Sequence, residues 1–408
     1  MNPRILLSAG LVMTILCLSG TGYAAPAADR HRAVSLTLWG GGGGSADEHP
    51  LTMDNLKLDD LNQTLTDMKQ IGVDTVGVNV FWLQDNIDSH AISPDPTDAT
   101  DFRGTATTDV TTTVIDAIHN KGMKVMLKPL VNLRDDPNHW RGQIPGTANW
   151  FWGSSGTPHD GSHTGQADDP YDGYANYIYH WAQVAQTHNV ETFCIGTELA
   201  GTSGSESNWR KMINGPEGDG GIRSRYNGKL TYAAQHGGAG GGTSTDIQWW
   251  DEMDYLGVDA YYPLTNQDDP SLEQLQVAWG DYITMLQQWS AAEDGKPVLF
   301  TEVGYCSFDG TNQHPWKVPP DGAVLDLQEQ ADCYEALLSQ LWEESWWAGA
   351  HWWNWQIDPD PSDWDQAPLW FTPQNKPAED VLAEYYIPEP GLLVLAGSGL
   401  LLWRRRRR

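Results

Sequence analysis

Two short stretches end in a glutamate where an apolar run should continue. TFCIGTEL, residues 192 to 199, carries Glu198, and PVLFTEVGY, residues 297 to 305, carries Glu302. A lone buried carboxylate is costly, so each needs a reason to be there. Two carboxyls flanking one bond can divide the work of acetal cleavage: one stays protonated to release the leaving oxygen, and the other stays ionised to attack the sugar carbon. At roughly 5 to 5.5 Å apart they form the pair of a retaining glycosidase, and at roughly 6.5 to 9.5 Å that of an inverting one. Neighbouring carboxyls also resist losing both protons, which helps to separate their roles.

The elements that position these residues follow from the apolar pattern. Eight strands are predicted: VSLTLWG (34 to 40), TVGVNVFW (75 to 82), KVMLKPLVNL (124 to 133), TFCIGTEL (192 to 199), KLTYAAQ (229 to 235), YLGVDAYYP (255 to 263), PVLFTEVGY (297 to 305) and GAHWWNWQ (349 to 356). Between them apolar residues recur every three or four positions, as at Leu58, Leu61, Leu65 and Met68, at Val110, Val114 and Ile118, and at Tyr174, Tyr177, Ile178, Trp181 and Val184. That spacing predicts helices with one buried face, with Gly72 and Gly122 at helix ends and Asp109 near a helix start. Eight βα units over 34 to 386 imply an α/β chain, a (β/α)8 TIM barrel forming a single catalytic domain; an open doubly wound sheet is the second choice. In such a barrel Glu198 ends strand four and Glu302 strand seven, and both face the C-terminal mouth. The Gly-, Asp- and Trp-rich stretch from 134 to 173 lacks a periodic core and is predicted to be a long rim loop.

Both ends of the 408 residues have the composition of targeting segments. Residues 1 to 25 have a basic start, an apolar middle and small residues before Ala25, the pattern of a signal peptide. The ending IPEPGLLVLAGSGLLLWRRRRR, residues 387 to 408, joins a Pro-Glu-Pro turn, thirteen apolar-rich positions and five arginines. As a helix the apolar part spans about 20 Å against a hydrocarbon core of about 30 Å, too short to cross alone. This ending resembles the PEP-CTERM sorting signal of Gram-negative bacteria, which implies export to the cell envelope, the surface or the medium, with transient membrane association.

The chain carries 24 basic and 54 acidic residues, a net charge of −30. Loss of the signal segment and the residues after the Pro-Glu-Pro motif leaves 18 basic against the same 54 acidic residues. Such a surface repels phosphate, so nucleic acid and anionic lipid are poor partners and a neutral glycan is a better one. Cys17 leaves with the signal. Cys194, Cys306 and Cys333 fit no metal or redox motif; buried free thiols are expected, with Cys306 to Cys333 as the conceivable disulfide. The histidines lack metal-ligand spacing, EGDGG and DPDPSDWD lack the alternation of a calcium loop, and the Gly40 to Gly44 run lacks a phosphate-loop ending. No metal or other cofactor is expected.

The motifs SLTLWGGG, VGVNVFWLQD, HNKGMKVMLKP, HWRGQI, ETFCIGTEL, LTYAAQ, YLGVDAYYPL, VLFTEVGY, WWNW and TPQNKPAE run through most of the mature chain. In this order they resemble glycoside hydrolase family 113, a clan A family of retaining β-1,4-mannanases. The resemblance implies that Glu198 is the acid/base, Glu302 the nucleophile, and Tyr261 or Tyr262 a hydrogen-bond donor to the nucleophile. Four positions depart from the expected pattern and bear on substrate preference. Thr197 precedes the acid/base where many clan members have Asn, Leu130 and Asn132 stand where His and Asp are usual, and Gln235 replaces Asn.

The 21 tryptophans suit stacking on the apolar faces of sugar rings, although most are expected to be core. Trp39, Trp82 and Trp353 at strand ends are the candidates, with Trp353 favoured because Trp352 must point the opposite way. Asn79 and Lys128 are candidate donors to sugar hydroxyls, with a structural ion pair as the other reading of Lys128. The expected activity is endo-acting cleavage of β-1,4-mannan. The alternatives are the same chemistry on another β-linked glycan, and a barrel that binds carbohydrate without cutting it.

Overall fold

Every residue of strand β2, Thr75–Gln84, is buried. Its alternating faces meet two different dry surroundings, the inside of a barrel and a layer of helices. The computed structural model describes residues 30–38, 53–54, 56–94, 106–156, 172–215, 220–237, 247–357 and 367–387. Residues 1 to 25 and 388 to 408, on which the targeting expectations fall, Trp39, the Gly40 to Gly44 run and DPDPSDWD lie outside the described residues, as does most of EGDGG.

The eight parallel strands form a closed barrel in sequence order. They are β1 (His31–Thr37), β2, β3 (Lys124–Leu133), β4 (Thr192–Thr197), β5 (Lys229–Gln235), β6 (Leu256–Asp259), β7 (Val298–Val303) and β8 (Trp347–Trp355). The helices are α1 (Leu58–Gln70), α2 (Thr108–Asn120), α3 (Ala148–Trp152), α4 (Tyr174–Thr187), α5 (Ala200–Ser203), α6 (Glu206–Asn214), α7 (Gly221–Arg225), α8 (Leu272–Ala292), α9 (Leu327–Leu341) and α10 (Pro377–Tyr386). This is the expected (β/α)8 barrel, with uneven crossovers. Three short helices lie between β4 and β5, and among the described residues only a 3-10 turn, Trp250–Glu252, lies between β5 and β6.

Leu58, the first residue of α1, is exposed, whereas Leu61, Leu65 and Met68 of α1 and Val110, Val114 and Ile118 of α2 are buried at the predicted spacing. Each such side chain contributes roughly 1.5 to 3 kcal/mol by leaving water. Gly72 and Gly122 follow these helices with φ of +88° and +71°, a turn that a side chain would strain.

The rim stretch after β3 is more structured than its sequence suggests. It folds a 3-10 turn at Arg141–Gln143 and α3, and it buries Trp150, Phe151 and Trp152. Trp150 stacks on Tyr174 with ring centroids 4.4 Å apart, so this segment packs as an outwork of the core; its cluster of consecutive aromatics has no period to betray it. Cys194, Cys306 and Cys333 are buried free thiols, so the Cys306 to Cys333 disulfide is not formed.

Candidate active site

Lys128 explains how Glu302 is tolerated in the barrel. Its ammonium donates to Glu302 Oε1 at 2.6 Å and to Asp259 Oδ1 at 2.9 Å, and the lysine side chain is fully buried. It does not reach out to a sugar, as one reading of the sequence held; its charge is committed to two carboxylates. Burial opposes the ammonium form, but the charges of Asp259 and Glu302 outweigh it and keep Lys128 protonated. Asp259 also accepts from Thr301 Oγ1 at 2.7 Å.

A slip in strand register helps to build this cluster. Val258 lies opposite Phe300 but Asp259 lies opposite Glu302, so β7 holds one extra residue there. Such a bulge re-aims side chains, and the consecutive Thr301 and Glu302 both serve the same network. Tyr261 completes it, donating to Glu302 Oε2 at 2.9 Å. Tyr262 points the other way, stacked on Tyr282 at 4.5 Å, and makes no contact with the carboxylate. The choice between the two tyrosines therefore falls on Tyr261.

Glu198 sits one residue beyond β4 with φ of +54°, a left-handed conformation uncommon for a glutamate. Its backbone N–H bonds Ala233 O at 2.8 Å, and the Tyr232 hydroxyl receives the N–H of Leu199 at 3.0 Å, so β5 holds the turn. The carboxyl has Arg141 Nη2 at 3.7 Å. Arg141 is in turn fixed by Nη1 donating to Asn132 Oδ1 at 3.1 Å.

The two glutamates feel different surroundings. For Glu198, burial raises the pKa, the Arg141 charge opposes it, and the Glu302 charge raises it further. For Glu302, burial and the Asp259 charge raise the pKa, while Lys128 and the Tyr261 hydroxyl oppose them by hydrogen-bonding the ionised form. Two direct donors favour Glu302 as the carboxylate. Among the described residues Glu198 has no donor within hydrogen-bond distance, which favours it as the acid. Their side chains are 18% and 10% exposed, so each retains an opening to solvent.

Several sequence candidates lie elsewhere. Trp82 is 1% exposed and packs on Tyr177, His180 and Trp181 under the helix layer. Alternation along β2 turns its neighbour Phe81 into the barrel instead, where it clusters with Leu83 and Leu130. Asn79 is fully buried and donates to Leu36 O and Gly77 O, out of a ligand's reach. Trp353 is half-buried and packs against the cluster of Tyr261, Cys306, Phe308 and Phe371. Trp352, as the alternation requires, points outward and stacks on Tyr334 at 3.8 Å. The peptide between Trp353 and Asn354 is cis.

Asp259, Thr301 and Arg141 are the participants that sequence reasoning missed. Asp259 lies two residues before Tyr261, the period that puts both on one strand face, and a buried lysine demands such a partner. Arg141 stood in the quoted HWRGQI motif without a role. A cavity of about 380 Å³ at the opposite, N-terminal end of the barrel is lined by Lys124, Glu191, Arg223, Lys229 and Asp254. Arg223 and Lys229 pair there with Asp254, and the cavity has no part in this site.

Residues 53–376 match the family model of Glycoside Hydrolase Family 113. Among solved structures the chain is similar to a GH113 β-mannanase from Alicyclobacillus acidocaldarius, with 24% identity, coverage of 89% of this chain and 98% of that one, and a TM-score of 0.65. It is also similar to a GH113 β-1,4-mannanase with 24% identity, coverage of 88% and 99%, and a TM-score of 0.62. At that identity these structures bear on the fold. No curated protein matches the chain.

Proposed function

The chain belongs to glycoside hydrolase family 113, and from that premise we propose that it is an exported endo-β-1,4-mannanase working with retention by double displacement. The observation that carries the reading is the unequal environment of Glu302, held by Lys128 and Tyr261, and Glu198, partly buried with no donor within hydrogen-bond distance among the described residues. In the first step the Glu198 carboxyl gives its proton to the glycosidic oxygen, a Glu302 oxygen bonds the anomeric carbon, and the bond to the leaving sugar breaks. In the second, the Glu198 carboxylate takes a proton from water, the water oxygen bonds the anomeric carbon, and Glu302 leaves as a carboxylate. Trp353, beside the Tyr261 that bonds Glu302, supplies an aromatic face for the sugar undergoing attack.

The same mechanism on another β-linked glycan is a second reading. It is favoured by Leu130, which forms an apolar wall with Phe81 and Leu83 where a polar residue is usual in the family. Incubation with mannan, glucomannan, xylan and β-glucan, with the product anomer followed by NMR, tests both. Release from mannan with retained configuration supports the first; release from another polymer alone supports the second. Initial inversion overturns double displacement, and binding to these polymers without release overturns catalysis.

Export through the N-terminal segment and sorting through the C-terminal one complete the proposal. Mass spectrometry of secreted protein is expected to show loss of the residues after the Pro-Glu-Pro motif; intact Arg408 in mature material contradicts it.

A further inference from the structure

Trp316 is the one aromatic residue among the exposed large apolar side chains of the described residues, and its exposure is 44%. It stands on the loop that leaves β7 shortly after Glu302, in a turn closed by the Lys317 N–H bonding His314 O at 2.9 Å. Its ring meets His236 at 5.5 Å, and His236 directly follows the last residue of β5. The loop therefore runs along the C-terminal rim from β7 past β6 toward β5, at the same end of the barrel as the carboxyls.

The ring ends a ladder. Tyr262, 2% exposed, meets His236 at 5.6 Å, and His236 meets Trp316. His314 lies 5.2 Å from the Trp316 ring on a second side. Burial pushes the His236 imidazole down to about 4, so the ring beneath Trp316 is uncharged near neutrality. The outermost rung is flat, neutral and wet.

The base of the loop is rigid. Asn312, fully buried, accepts from Thr265 N at 3.0 Å and Thr265 Oγ1 at 2.7 Å, and it donates to Gln267 O at 2.9 Å and Glu329 Oε1 at 2.7 Å. Glu329 also receives the N–H groups of Gly310 and Asn312. Both oxygens of Glu329 are thus committed to fastening the loop to the β6 loop and α9. An exposed aromatic held in place before its ligand arrives loses little freedom on binding.

We propose that Trp316 is a stacking platform for a pyranose ring of a neutral polysaccharide, at a position remote from the bond being cut. The occupant is the extended part of the substrate itself, because the platform stands on the loops of the same barrel end as the carboxyls and the chain's strong negative charge disfavours acidic ligands. This inference rests on the glycosidase reading and specifies how that same cleft holds a polymer.

The test compares the wild type, Trp316→Ala and Trp316→Phe on hexasaccharides of β-1,4-linked mannose, glucose and xylose, and on the aryl disaccharide glycoside of whichever series is cut. Trp316→Ala is expected to lower kcat/KM on the hexasaccharide about tenfold more than on the disaccharide, the size expected of one lost stacking contact, with Trp316→Phe in between. Equal losses on both lengths, or none on either, overturn the platform while leaving the glycosidase reading intact. A wild type that cuts none of the series overturns that reading and the platform together. Matching thermal midpoints for the three proteins separate a lost contact from a lost fold.

Discussion

Lys128 and Glu302 meet at 2.6 Å inside the barrel, and Asp259 takes the other side of the same ammonium. One cation thus holds two carboxylates in a dry interior. Removing one partner from such a buried arrangement is far more damaging than its net contribution suggests, since it strands the remaining charges. Lys128→Met is accordingly expected to destabilise the fold by about 3 to 5 kcal/mol and to abolish activity. Chemical denaturation checks it, and an unchanged midpoint would show that the ion cluster does not support the barrel.

Tyr261 acts on the same carboxylate from its other oxygen. Tyr261→Phe removes a hydrogen bond to a charged group, worth roughly 1.5 to 3 kcal/mol, so activity is expected to fall by about tenfold to a hundredfold. The sign of the pH effect also follows. A lost donor raises the pKa of Glu302, which the proposed mechanism needs ionised, so the acidic limb of kcat/KM is expected to move to higher pH. Tyr262→Phe, on the outward face, is expected to leave that limb in place.

Arg141 acts on the acid. Its charge lowers the pKa of Glu198, which the proposed mechanism needs protonated to release the leaving group. Arg141→Gln is expected to raise that pKa and move the basic limb of kcat/KM upward. Asn132→Asp sets a carboxylate against the Arg141 guanidinium, 3.1 Å from the present oxygen, and is expected to move the limb the same way. A pH profile with the basic limb unmoved in both variants would remove Arg141 from the acid's electrostatics.

Regular periodicity made much of this readable. The strands KVMLKPLVNL and KLTYAAQ occupy the residues predicted, because continuous apolar runs between turns leave few registers. Glu198 and Glu302 stood out because charge ends such runs at the barrel's working face. The errors came from face and from aperiodic sequence. Trp82 is aromatic and at a strand end, yet its parity turns it to the helices; Asn79 faces inward but is fully buried, while Lys128 takes the ion-pair alternative that its sequence context left open. Arg141 and Trp316 lie on loops, whose course depends on distant partners such as Asn132 and Asn312 and leaves no repeat in the sequence.

The central claim is that Glu302 bonds the sugar carbon during turnover. The most direct measurement is trapping with a 2-deoxy-2-fluoro glycosyl fluoride matched to the hydrolysed sugar, followed by peptide mass mapping of the full-length or mature protein. The account predicts inactivation with a single glycosyl adduct on Glu302 and none in Glu302→Gln. An adduct on another residue accompanying inactivation, or an equally labelled Glu302→Gln protein, would contradict it.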